Sequence, residues 1–324
     1  MSHSLERNAP GGERPGRDIT NDPLSKRRLG RTGFRVTPLG LGGAHLGRTP
    51  DGLDDAVAVA TVLRALELGI NLIDTAPLYG DSQRRIGMAL QEWYRQGGQR
   101  EDLIISTKTG RDAGGRGDYS AQATRRSVEE SLRLLRTDYI DILLVHDPDD
   151  LTPVLAPGGT LDVLKDFKRR GLIRAIGLGV RSHEFHRRCI ETGEFDVLLT
   201  FCDYNLLNQS AATGVLEPAA AKDVGVLNGA AVLLGLLSGR DPRTVKRHLQ
   251  LGAYELWQWT QEHGYDLLAL NLQFCLRERR IHSTLVGAAT PEEIQTDVRA
   301  IYAEIQPGAW EELHARFGIL MPKP

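Results

Sequence analysis

Between residues 38 and 305 the chain alternates, eight times over, a short apolar run with a longer stretch of helical periodicity. No other feature narrows its fold so far. Apolar runs of a few residues bounded by turn signals read as buried strands, and apolar residues recurring at steps of three and four read as amphipathic helices. The expected strands are 38–41, 71–74, 103–107, 140–146, 175–178, 197–201, 224–228 and 284–286. The expected helices include 54–68, 82–93, 120–135, 161–170, 184–192, 211–223, 265–279 and 291–305. In 120–135, Val128, Leu132 and Leu135 mark one face at three- and four-residue steps. Glycine punctuates the helix-to-strand links in LELGINLI, KRRGLIRAIG and KDVGVL.

A chain of 324 residues suits two average domains or one large barrel. Eight strand–helix units favour the second: an α/β fold with a parallel (β/α)8 TIM barrel. The competitor, a doubly wound open sheet, calls for a G-x-G-x-x-G turn after an early strand. The nearest stretch, GLGGAHLG, has its glycines at the wrong offsets. Before the barrel, RRLGRTGFRVTPLGLGG holds two extended pieces around Thr32 and Gly33, the pattern of an N-terminal β-hairpin. Residues 1–26 are rich in Gly, Pro and charge and read as a poorly ordered arm, leaving 27–324 as a single barrel domain. Segment 239–262, with Tyr254, Trp257 and Trp259, reads as an extra helical excursion, one tryptophan roofing the pocket and the other packing on the barrel.

Net charge is −2, which argues against nucleic acid or an anionic membrane surface as partner. No apolar run approaches the length of a membrane span, and the first residues lack the apolar core of a secretory signal. Cys189, Cys202 and Cys275 are odd in number and not spaced as metal ligands, so a cytoplasmic location is expected. His183 and His186 lack a third nearby ligand, and no metal is expected.

Barrel enzymes keep their chemistry at the carboxyl ends of the strands. Three consecutive strands end here in reactive groups. The second ends in Asp74, with Tyr79 on its loop; the third ends in Lys108; the fourth ends in His146. A lone buried lysine is costly unless paired, and Asp74 on the neighbouring strand is its natural partner. Tyrosine ionises near ~10, too high to work freely near neutrality, and a neighbouring cation lowers that value. Lys108 is placed to be that cation, Tyr79 to be the general acid or base, and His146 to orient the same substrate oxygen. Asp147 follows His146 on the rim, where it would hydrogen-bond a substrate hydroxyl or form a polar turn with Asp149 and Asp150.

The stretches LIDTAPLYG, ISTKTG and RRSVEESLRLLRTDYIDILLVHDPD resemble the aldo-keto reductases, and the likeness runs in order from about Arg28 to about Ile301. The resemblance implies a βα barrel closed at its base by an N-terminal hairpin. It also implies hydride transfer between a nicotinamide cofactor and a carbonyl or alcohol, through a tetrad falling on Asp74, Tyr79, Lys108 and His146. Further stretches, VHDPDD, FCDYNLLNQSA and GVLNGAAVLLGLLSG, are similar to the aldose 1-dehydrogenases, which oxidise the anomeric carbon of a free sugar to a lactone.

The family holds the adenosine end of its cofactor after the eighth strand, here VGAATPEEIQTD, with Gly287, Thr290, Glu293 and Asp297 as candidate contacts. A helix start offers free N–H groups to phosphate. A carboxylate at Glu293 suits a ribose 2′-hydroxyl better than a 2′-phosphate, so NAD is expected over NADP; Glu292 and Glu293 are also ordinary acids for a first helical turn. The family's Ser-Asn after the fifth strand is replaced by Gly179 and Val180, its Gln on the sixth by Phe201, and its aromatic after the seventh by Asn228, Gly229 and Ala230. Gly179 and Asn228 are then candidate cofactor contacts, Asn228 equally a helix cap. The expected function is an NAD(P)-dependent sugar C1 dehydrogenase, monomeric or a small homo-oligomer. The alternatives are an NADPH-dependent reductase of small aldehydes or ketones and a non-catalytic cofactor-binding regulatory barrel, the latter disfavoured by the intact tetrad.

Overall fold

The computed structural model describes residues 22–47, 52–245 and 251–322. An antiparallel hairpin, β1 (Arg27–Arg28) and β2 (Arg35–Val36), precedes eight parallel strands: β3 (Leu39–Gly42), β4 (Leu72–Asp74), β5 (Ile104–Thr109), β6 (Ile140–His146), β7 (Ile173–Gly179), β8 (Val197–Phe201), β9 (Gly225–Gly229) and β10 (Ser283–Gly287). Each pairs with the next, and β10 pairs back to β3, so the sheet is a closed barrel. Around it lie α1 (Ala44–Gly47), α2 (Asp55–Glu67), α3 (Ser82–Arg95), α4 (Ala121–Leu135), α5 (Thr152–Leu155), α6 (Thr160–Arg169), α7 (His183–Thr192), α8 (Glu217–Ala221), α9 (Leu251–His263), α10 (Leu267–Arg277), α11 (Pro291–Tyr302) and α12 (Pro307–Phe317).

Strand residues alternate between two cores, as the period of two requires. Leu72, Ile104, Ile142, Leu144, Ala175, Val197, Leu199, Leu227 and Leu285 fill the inside of the barrel. Their neighbours Ile73, Ile105, Leu143, Val145, Ile176, Leu178, Leu198, Val226 and Val286 face the helices. Helix starts are set by side-chain caps: Asp54 accepts from Ala56 N–H, Ser120 from Ala123 N–H and Asp266 from Ala269 N–H. The hairpin plugs the base, where Leu29, Phe34 and Val36 join the inner core. Gly30 makes the seat possible: its φ is +46°, and a Cβ there would stand 2.3 Å from Gly225 N.

Several expectations change. Residues 1–21 of the expected arm lie outside the described residues, whereas Asp22 accepts from Tyr302 Oη and Ser25 N–H closes a turn onto Asp22 O. The stretch after β8 is a π-helical turn, Ala212–Leu216, running into the short α8 rather than one regular helix. The excursion after β9 contains α9, but neither tryptophan lines the pocket. Trp259 is buried against His263, Tyr265 and Phe317, and Trp257 Nε1 donates to Gly239 O. The final helix, α12, is absent from the sequence reading.

Leu29 is fully buried in the plug. Leu29→Ala is expected to cost about 2–5 kcal/mol, because a void at the barrel base has no route to collapse. Denaturant unfolding measures it; a cost below about 1 kcal/mol would show that the hairpin is not needed to close the barrel.

Candidate active site

Asp74, Lys108 and His146 are the last inward residues of β4, β5 and β6, on the same face as Leu72, Ile104 and Ile142 below them. They therefore converge at one mouth. Lys108 is 1% exposed; its Nζ donates to Asp74 Oδ2 at 2.5 Å and to Thr75 O at 2.9 Å. The other oxygen of Asp74, Oδ1, accepts from Ser106 Oγ at 2.8 Å. A single 3-10 turn, Pro77–Tyr79, carries the chain outward to Tyr79. That turn is held from beside: a Cβ on Gly47 would fall 1.3 Å from Tyr79 O, so only glycine lets α1 pack there. This close packing, not a dinucleotide turn, is what the glycine-rich stretch serves. Lys108 Nζ lies 4.9 Å from the Tyr79 ring centre, and His146 meets the same ring edge-on with centroids 5.8 Å apart.

The environment moves these groups in opposite directions. Burial resists charge on Lys108, but Asp74 and Tyr79 beside it outweigh that and hold the ammonium above the ordinary lysine value. Burial, then the charges of Lys108 and Arg111, hold His146 well below its usual range, so it is neutral. Its buried Nδ1 has no hydrogen-bond partner among the described residues, and its Nε2 lies 3.8 Å from Asp147 Oδ2. Tyr79 corrects the sequence reading. Burial raises its phenol above the ordinary tyrosine value, and the pull of Lys108 only partly offsets this because Asp74 works against it.

A cavity of about 810 Å3 joins the tetrad to the start of α11. Gly179, Asp147, Gly287, Glu293 and Asp297 line it; Thr290 and Asn228 do not. Thr290 is the N-cap of α11, accepting from Glu293 N–H. Asn228 is turned to the helical side of β9, since Leu227 takes the inward face, and its Nδ2 donates to Tyr204 O. It does not border the cavity, and it is not the N-cap of any described helix. Counting alternate residues from Leu227 was a signal that would have excluded it. Glu293 is doubly used: Oε2 accepts from Ala289 N–H at 2.8 Å, while the residue also borders the cavity. Asp297 is 9% exposed and its carboxyl has no hydrogen-bond partner among the described residues; burial, and then the charge of Glu293 one turn back, push it up to about 7.

Other lining residues had not been singled out: His45 after β3, and Leu234, Ser238 and Arg240 after β9. Loops carry no periodicity from which to find them. Asp147 is held in the left-handed region at φ +43°. Arg111 Nε and Nη2 and Tyr119 Oη all donate to Asp147 O, fixing its backbone, and burial raises its carboxyl above the ordinary value. A second cavity, about 450 Å3, continues outward past Asp147 along Leu78, Phe201 and Arg181. Among the described residues no cluster could hold a metal ion, and no helix is long and apolar enough to cross a membrane. His183 pairs with Asp203, and His186 Nε2 lies on Val180 O.

Residues 38–315 match the aldo/keto reductase family. The chain belongs to that family. Being an aldo/keto reductase, it is an NAD(P)-dependent oxidoreductase. It is 32% identical to L-galactose dehydrogenase of Arabidopsis thaliana, over 86% of this chain and 88% of that protein. It is 29% identical to D-threo-aldose 1-dehydrogenase of a Pseudomonas species, over 90% and 97%. The holo form of an aldo-keto reductase from Bacillus halodurans superposes with a TM-score of 0.73 at 25% identity, covering 90% of this chain and 96% of that one.

Removing the charge of Asp74 leaves an ammonium that is 1% exposed without its counter-ion. Asp74→Asn is expected to destabilise the fold by about 3–5 kcal/mol, and Asp74→Asn with Lys108→Met to recover most of that. Chemical denaturation at neutral pH compares the two; equal loss in both would show that the pair is not energetically coupled.

Proposed function

We propose that this aldo/keto reductase oxidises a free aldose at C1 to the lactone, with NAD as preferred cofactor. One observation carries the reading: Tyr79, Lys108, Asp74 and His146 meet at one end of a cavity whose other end is the start of α11. The cavity's reach and the helix N-terminus fit an extended dinucleotide. The nicotinamide, when bound, supplies the hydride acceptor. Everything else falls to this chain's own groups. Tyr79, as phenolate, takes the C1 hydroxyl proton; in the reverse direction the phenol returns it. Lys108 is the counter-charge of that phenolate, and Asp74 with Thr75 O holds Lys108 in place. His146, neutral, donates through Nε2 to the substrate oxygen and fixes its distance from Tyr79. Asp147 accepts from a second hydroxyl of the sugar, aimed by its clamped backbone.

The residues that α11 itself places on the cavity are Glu292, Glu293, Thr296 and Asp297, none of them a lysine or arginine, which supports NAD over NADP, although Arg240 borders the same cavity from the loop after β9. The raised phenol of Tyr79 also favours a second reading, in which a neutral Tyr79 protonates a small aldehyde during reduction.

A panel of aldoses with NAD or NADP, followed by absorbance of the reduced cofactor, tests the function. The expected result is turnover of at least one aldose, faster with NAD. No turnover of any sugar, with NADPH consumed by small aldehydes, would overturn it in favour of the second reading. Tyr79→Phe is expected to lower kcat by ~10²–10⁴ without lowering the melting temperature. Because Tyr79 must lose its proton and is held above its ordinary value, the oxidation rate is expected to rise with pH into the alkaline range. A rate that is flat from pH 7 to 10 would remove Tyr79 as the base.

A further inference from the structure

Asp147 stands where the two cavities meet and borders both, so its carboxylate has two directions open to it. A carbonyl oxygen has two lone pairs. That of Asp147 receives three donors: Arg111 Nε at 3.0 Å, Arg111 Nη2 at 2.7 Å and Tyr119 Oη at 2.9 Å. Tyr119 Oη shares its proton with His146 O, 2.7 Å away, so one phenol ties two successive carbonyls. Behind it, Thr160 Oγ1 donates to Tyr119 O, and the Tyr119 ring lies on Gly110, where a Cβ would stand 2.3 Å from it. Arg111 Nη2 also donates to Asp149 Oδ1 at 3.0 Å. The whole grip thus falls on backbone or on Asp149. Among the described residues no donor reaches the carboxylate oxygens of Asp147, although a guanidinium pairs most strongly with a carboxylate. In its left-handed conformation, φ +43°, Asp147 turns its carbonyl to this clamp while Oδ2 lies 3.8 Å from His146 Nε2.

That separation is too long for a hydrogen bond and short enough for two neighbouring ligand oxygens to bridge. Counting protons identifies the second oxygen. In the reaction proposed above, the C1 hydroxyl gives its one proton to Tyr79 and accepts from His146 Nε2, so it has nothing left to donate to Asp147. The ring oxygen, on one side of C1, carries no proton. The hydroxyl on C2, on the other side, does. Resting on that function, we infer that Asp147 accepts from the C2 hydroxyl, and that Arg111 and Tyr119 are positioning residues whose clamp aims its carboxylate at the tetrad instead of the outer cavity. The substrate class is then a 2-hydroxy carbonyl compound or its cyclic form, a vicinal pair of oxygens read by one donor and one acceptor. In reduction the same pair is the carbonyl oxygen and the neighbouring hydroxyl, so the requirement holds in either direction.

The test compares galactose and ribose, each enantiomer against its 2-deoxy counterpart, with NAD or NADP, and glyceraldehyde against 3-hydroxypropanal with the reduced cofactors. In the wild type, kcat/KM is expected to fall about 10- to 100-fold on loss of the C2 hydroxyl, the range of a hydrogen bond to a charged group. Asp147→Ala is expected to bring that ratio close to one. Asp147→Asn, which keeps an acceptor and tolerates left-handed backbone, is expected to retain part of it. Tyr119→Phe, which keeps the ring on Gly110 but frees both carbonyls, is expected to give an intermediate ratio through a higher KM for the hydroxylated substrate. Any loss felt through His146 falls on both substrates and cancels from the ratio, as would a merely structural loss. Should Asp147→Ala fail to fold, Asp147→Asn and Tyr119→Phe still decide. A wild-type ratio near one, or a ratio undiminished in the Asp147 variants, would overturn the inference; a ratio unchanged in Tyr119→Phe would overturn the clamp's part in it. Turnover of glyceraldehyde without any sugar would overturn the aldose reading alone, and the glyceraldehyde pair would then decide this one. No turnover of any substrate would overturn both.

Discussion

The pairing of β10 with β3 makes every other feature possible. Thr284–Gly287 run alongside Leu39–Gly42, and with that ladder the sheet has no edge. A closed barrel of eight strands has an inside just wide enough for one set of alternate side chains. Leucine, isoleucine and valine take the lower inward positions, and the Leu29–Val36 hairpin seals the base. At the open end seven strands present a polar or small inward residue, Gly42, Asp74, Lys108, His146, Gly179, Gly229 and Gly287, and β8 presents Phe201.

The same closure sets the electrostatics. Drawing Lys108 to 1% exposure is tolerable only because Asp74 sits one strand away at hydrogen-bond distance. Once fixed, that pair governs its neighbours. It leaves a cation under the Tyr79 ring and helps to keep His146 neutral. Two groups intended for one proton thus lie in one site with their ionisations pushed in opposite directions, the phenol up and the imidazole down. At the far end of the cavity the pattern is reversed: acids gather on α11, and the most buried of them is driven toward neutrality.

Much of this was legible in the residue order. Eight apolar runs are recovered as eight strands within a few residues, since a buried parallel strand has no other way to appear in a sequence. The strand-end groups were legible because their chemistry contradicts the apolar run that precedes them. Less legible was anything set by loops. Ala230, Leu233 and Leu234 adopt left-handed backbone after β9, and Arg111 with Tyr119 clamps the Asp147 carbonyl from another loop. Such contacts join residues with no periodic relation. Glu293 was read as a ribose contact or as an ordinary first-turn acid; its Oε2 accepts from Ala289 N–H beside the helix cap, a local use that competes with any ligand.

Local pattern was sufficient for the number of strands, their parallel order, and the identity of the four groups at the second, third and fourth strand ends. These follow from hydrophobic period and chain direction, which need no knowledge of what lies across the barrel. Which way each group faces and how readily it holds a proton were settled only in three dimensions. Asn228 turns outward because Leu227 takes the inside; Tyr79 holds its proton more tightly because burial outweighs one adjacent ammonium; Asp297 is pushed up because folding buries its carboxyl one turn from Glu293. Burial and charge spacing are properties of the assembled barrel, and no single stretch of chain contains them.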